Sequence, residues 1–182
     1  MFAGPGPWMT PWMPQVLPNV VRLVEMQPAR TLFTRFVPPS RPEVLPGAWV
    51  RYYRRWPDMT LENLDPEMVL LVPELERMVP PARIVEKRVY SPWIDGALRS
   101  QLRETGTTTL VVSGAETEVC VLATVLGAID FGFRVIIAAD AICSSADPTH
   151  DAMLALYRSR YGMQVEVATT AEIETATCPF GT

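Results

Sequence analysis

Residues 107–140 read TTTLVVSGAETEVCVLATVLGAIDFGFRVIIAAD. The β-branched run TTTLVVSG (107–114) predicts a strand buried on both faces, because its apolar run is continuous. TEVCVLATVLGAIDFG (117–132) predicts a helix with Thr117 as N-cap and Gly132 past its end. FRVIIAAD (133–140) predicts another strand. Strand, helix and strand at this spacing form a βαβ unit, with parallel strands and a right-handed crossover.

The same alternation extends both ways. Upstream, RIVEKRVY (83–90) predicts a strand and PWIDGALRSQLRETG (92–106) a helix closing at Gly106. Downstream, DPTHDAMLALYRSRYG (147–162) predicts a helix with Asp147 as N-cap and Pro148 at its first position, and QVEVATT and AEIET a short strand and helix. Nearer the start, PQVLPNVVRLVEMQ predicts an amphipathic helix feeding the strand ARTLFTRF. The fold class is therefore α/β, a parallel sheet with helices on both faces. A helix feeding a parallel strand normally returns from an earlier strand, so the first strand of the pattern is missing ahead of this one. Ligands in such folds bind beyond the carboxyl ends of the strands, where Phe36, Arg88 and Gly114 share one rim.

With 182 residues, 48% hydrophobic and 20% charged, the chain suits one soluble domain over 1–182. Its net charge of −4 argues against a nucleic-acid or anionic-membrane partner. No apolar run reaches the roughly 18 residues of a spanning helix, and the N-terminus lacks a signal-peptide pattern. Cys120, Cys143 and Cys178 are an odd number without framework spacing, which suits a reducing cytoplasm. A single histidine, His150, and no CxxC pair disfavour a zinc site. No metal or other cofactor is expected.

Cys120 lies six residues after Gly114, in the first turn of its predicted helix. Helix amides and the macrodipole there favour a thiolate, the nucleophilic form of cysteine. The same amides can hold an oxyanion. The plainer alternative is a cysteine packed at an α/β junction. Lys87 ends the strand RIVEK on the same rim, placed either to stabilise negative charge or to be solvated. A carboxylate is still needed to accept the thiol proton.

GAETEVCVLATVLGAIDFGFRVIIAADAICSS, with EKRVYSPW upstream, resembles the isochorismatase-like cysteine hydrolases, over about Pro14 to Glu172. The resemblance implies a three-layer α/β/α sandwich and a cysteine, lysine and aspartate triad, with Cys120 as nucleophile and Lys87 as the lysine. It implies a cis peptide between Ala115 and Glu116, and an oxyanion hole from the backbone amides of Glu116 and Cys120. It implies a small-molecule substrate and a homodimer or homotetramer. The family's aspartate ends the first strand, shortly before a phenylalanine whose place Phe2 takes here. The missing strand and the missing aspartate are thus one gap, expected upstream of residue 1. Asp58, Asp65, Asp95 and Asp140 are the substitutes within the chain, though none matches the motif position.

Nicotinamidases of this superfamily bind a metal through histidines after the second strand, whereas residues 34–60 here contain none. Arg35 is placed to pair with a substrate carboxylate or to serve in an ion pair. Trp93 and Thr117 are assigned to the substrate pocket, and His150 to a structural role. Trp8, Trp12, Trp49 and Trp56 roof the site or pack between subunits. The leading expectation is amide C–N hydrolysis through a Cys120 acyl-enzyme. The rivals are vinyl-ether hydrolysis of isochorismatase type and a non-catalytic binding protein.

Overall fold

The structure is a computed structural model describing residues 1–177; Cys178 lies outside the described residues. The first helix, α1 (Met13–Met26), buries Val16, Val20 and Val24, one per turn along one face. It is followed by β1 (Leu32–Phe36), α2 (Ala48–Arg55), α3 (Pro73–Glu76) and β2 (Arg83–Lys87). Next come α4 (Ala97–Glu104), β3 (Thr109–Ala115), a π-helical turn (Thr117–Val121) and α5 (Leu122–Asp130). The order closes with β4 (Arg134–Cys143), α6 (Asp147–Ser159), β5 (Val165–Ala168) and α7 (Thr170–Thr177).

Every strand pairing is parallel. β1 pairs with β2, setting Phe36 opposite Lys87, and β4 lies between β3 and β5. The sheet is therefore in two parts, and among the described residues β1 and β3 each have a strand on one side only. Alternation along β4 divides the core. Val135 and Ile137 face Leu98 and Leu102 of α4, Val125 of α5 and Tyr157 of α6. Ile136 and Ala138 face Val20 of α1 and Ile173 of α7. Helices thus cover both faces of a parallel sheet, an α/β/α sandwich. No helix among the described residues is long and apolar enough to cross a membrane.

Several elements differ from the sequence reading. The run TTTLVVSG is not buried on both faces, since Val111 is 43% exposed on a strand with one neighbour. The helix drawn from Pro92 starts only at Ala97, after Gly96 at φ +78°, because Trp93 turns into the core instead. β4 runs three residues past Asp140, and its register against β3 shifts between Val112 and Gly114. α6 starts at Asp147 with Ala146 as its cap, and the Asp147 carboxylate instead accepts from Trp12 Nε1 at 2.7 Å.

Candidate active site

Cys120 is half-buried in the π-helical turn that connects β3 to α5. Thr117 does not cap this helix. Its side chain is fully buried and shares a 2.8 Å hydrogen bond with His150 Nδ1. The chain instead turns on the Glu116 carbonyl, which accepts from Val119 N and Val121 N. The Ala115–Glu116 peptide bond is cis.

Three successive side chains anchor this turn to the segment after β4. Glu116 Oε1 accepts from Ser145 N at 3.3 Å. Thr117 engages His150. Glu118 Oε1 accepts from the hydroxyls of Ser144 and Thr149. Tyr157 adds a fourth tie, its hydroxyl donating to the Thr117 carbonyl at 3.2 Å. Bonds this dense hold a non-α-helical backbone in one shape.

Lys87 ends β2 and is only 4% exposed. An ammonium carries three donors; here Nζ donates to Tyr90 O at 2.7 Å and to Val89 O at 3.2 Å. It also lies 5.3 Å from the Phe36 ring centroid, a cation–π distance. Alternation puts Phe36 and Lys87 on one face of the β1–β2 pair and Arg35 and Glu86 on the other.

An aromatic wall completes the site. In α2, Trp49, Tyr52 and Tyr53 fall at i, i+3 and i+4, one stripe of the helix. Trp49 meets Tyr90 edge-on at 4.9 Å, and Trp8 packs against Phe36, Tyr52 and Tyr53. The Tyr52 and Tyr90 hydroxyls lie close enough to influence each other's ionisation. Burial is the largest cause holding both phenols above their ordinary ionisation range, and Cys120 and Glu116 add to it. Tyr90 therefore joins the two halves of the site, its carbonyl on Lys87 and its phenol within electrostatic reach of Cys120. The other described cysteine, Cys143, is buried, and desolvation pushes its thiol up to about 11.

Comparison with known proteins places this fold. The family described as Isochorismatase domain matches residues 1–172. The chain belongs to the isochorismatase-like family of hydrolases. Solved structures of similar fold include an isochorismatase family protein from Desulfovibrio vulgaris subsp. vulgaris str. Hildenborough, with TM-score 0.81 and 18% identity, covering 97% of this chain and 92% of that one. A cysteine hydrolase from Pseudomonas syringae pv. phaseolicola 1448A aligns with TM-score 0.76 and 21% identity, over 94% and 84% of the two chains. N-carbamoylsarcosine amidase from Thermoplasma acidophilum aligns with TM-score 0.70 and 21% identity, over 91% and 88%. No curated protein matches by sequence.

Within this isochorismatase-like chain, the residues assigned from sequence fall into two groups. Cys120 and Glu116 lie within electrostatic reach of Tyr90, whose carbonyl accepts from Lys87, whereas Trp93, Thr117 and Arg35 have partners elsewhere. Trp93 is buried in the core, its Nε1 donating to Thr124 O at 2.9 Å and its ring against Phe131 and Phe133. It lies so close over Gly127 that a Cβ there would meet its ring at 2.2 Å. Arg35 is ion-paired with Glu86. Three of the four substitute aspartates serve local structure: Asp65 accepts from Glu67 N, Asp95 from Ala97 N, and Asp140 from Thr170 N and Oγ1; Asp58 lies in the short helical turn Pro57–Met59. Among the described residues no cluster of three His, Cys, Asp or Glu is placed to hold a metal. The sequence reading missed Tyr52 and Tyr53, although their i, i+3, i+4 spacing with Trp49 was visible as an aromatic stripe.

Proposed function

We propose that this family member hydrolyses a C–N amide bond of a small molecule through a Cys120 thioester. The observation that carries the proposal is the setting of Cys120: half-buried, beyond the carboxyl end of a parallel strand, on a turn fixed by five side-chain hydrogen bonds. The thiolate attacks the amide carbon, forming the C–S bond, and the carbonyl electrons move to oxygen. The backbone amides of Glu116 and Cys120 receive that oxyanion. Collapse breaks the C–N bond, and the amine leaves with a proton. Water then attacks the thioester, releasing the acid and restoring the thiol. Lys87, two of whose donors are held by carbonyls, keeps one to steady negative charge at the thiolate or substrate.

The proton acceptor is a carboxylate. Asp65, Asp95 and Asp140 are engaged elsewhere; the turn of the cysteine itself carries Glu116 and Glu118, and Glu118 is held by the hydroxyls of Ser144 and Thr149. A second reading, binding without turnover, draws on one observation: among the described residues no aspartate pairs with Lys87, whose ammonium donates to two carbonyls instead. Both readings place the protein in the cytoplasm with a small-molecule ligand.

Ammonia release from a panel of small primary amides and ureido compounds separates them. Hydrolysis that Cys120→Ala lowers by at least about a hundredfold supports the enzyme. Hydrolysis that survives Cys120→Ala, or a panel bound but never cleaved, removes the thioester mechanism.

A further inference from the structure

The two parts of the sheet share no strand pairing among the described residues, yet the site draws on both. Lys87 ends β2 in one part, and the Cys120 turn follows β3 in the other. Residues 2–12, ahead of α1, reach across the carboxyl-end rim from one part to the other. On the Lys87 side, Trp8 packs against Phe36 at 6.4 Å and Tyr52 at 5.8 Å. Phe36 ends β1, and its ring centroid lies 5.3 Å from Lys87 Nζ. On the Cys120 side, Trp12 Nε1 donates to Asp147 Oδ1 at 2.7 Å. Asp147 opens α6, whose Thr149 and His150 hold the Cys120 turn through Glu118 and Thr117.

The segment is also a unit. Thr10 N and Oγ1 both donate to Phe2 O at 2.9 Å, and the Phe2 ring stacks on Trp8 at 6.4 Å. Ends tied together, with its own side chains filling the middle, make an Ω-loop, a form that recurs at functional sites. Its two attachments differ in kind. Trp8 is seated among the rings of Phe36, Tyr52 and Tyr53. The Trp12–Asp147 bond lies at the surface, where Trp12 is 45% exposed. A hydrogen bond in contact with water contributes little net, so this end can release while the core stays packed.

We propose that residues 2–12 are a strap across the Cys120 site, latched by Trp12 on Asp147, and that ligand enters when the latch opens while Trp8 stays seated. Such a strap governs access to the thiol whether the ligand is then cleaved or only bound. Access that depends on a minor open population restricts large molecules more than small ones.

The test compares two alkylating reagents with the same reactive group, iodoacetamide and a biotin–polyethylene glycol iodoacetamide, with Cys120 followed by mass spectrometry. The quantity read is the ratio of the large reagent's rate to the small one's, divided by the same ratio for glutathione. In wild type this ratio is expected at or below about 0.1, since the closed state excludes the larger molecule. Trp12→Phe keeps the ring and removes the donor; it is expected to raise the ratio about fivefold while changing the iodoacetamide rate less than twofold. Asp147→Ala is expected to raise the ratio similarly. The double variant should match either single one, because both remove one bond.

A wild-type ratio near that of glutathione overturns the proposal, since the site is then open already. A ratio unmoved by Trp12→Phe also overturns it, as does a rise of both reagents in step, which marks a loosened fold rather than a gate. Additive effects in the double variant sink the latch by showing two independent perturbations. If Cys120 takes neither reagent in any variant, something other than the strap closes the site and the proposal fails.

Discussion

Cys120 and Cys143 carry the same thiol in opposite surroundings. Cys143 ends β4, is 2% exposed and is held protonated chiefly by burial, with its thiol pushed up to about 11. An unfolded cysteine ionises near about 8.5. Between those values the unfolded chain binds fewer protons than the folded one, so stability falls as pH rises. Urea midpoints at pH 8 and pH 10 are expected to drop more for wild type than for Cys143→Ala, by about 1–2 kcal/mol. An equal drop in both proteins contradicts this. At the residue scale the sequence was legible where position is local to a strand end: Lys87 ends β2, and Cys120 stands in the turn after β3. It was not legible for Tyr53, whose burial depends on which rings surround it. Trp93 misled for the same reason: an aromatic near the rim says nothing about whether the backbone turns it outward or onto Gly127.

At the scale of elements, the β3–α5 connection decides the site. A helix N-cap at Thr117 was the natural reading of TEVC, but that reading could not include His150, which arrives from α6 and takes the threonine hydroxyl. The resulting π-helical turn sets where Cys120 stands. His150 is therefore a positioning residue, acting through Thr117. His150→Ala is expected to slow Cys120 alkylation about tenfold, and His150→Asn, whose amide reaches roughly where Nδ1 lies, to recover most of it. Alanine and asparagine variants that behave alike would show that the bond does not position the thiol. α2 escaped notice for another reason. It is eight residues long and bounded by Pro46 and Pro57, too short to display a sustained period.

The whole molecule was legible as an α/β/α sandwich because alternating strands and helices constrain it so tightly. The parallel order, the cover on both faces and the carboxyl-end rim follow from pattern alone. The exposure of Val111 did not, since a continuous apolar run reads alike whether or not neighbours cover it. The division into β1–β2 and β3–β4–β5 has a dynamic consequence. β4 is paired on both sides, whereas among the described residues β3 pairs with a strand on one side only, and unpaired edges open most easily. Hydrogen exchange is expected to find β4 amides the most protected, with alternate β3 amides exchanging at least about tenfold faster. Uniform protection across β3 and β4 would show the β3 edge to be covered.

The central claim is that Cys120 is placed to react. The most direct measurement is alkylation of the native protein with iodoacetamide at neutral pH, each cysteine followed by mass spectrometry. Cys120 is expected to label at least about tenfold faster than Cys143, whose buried thiol stays protonated. Labelling of Cys120 at or below the rate of Cys143 in the folded protein would contradict the account.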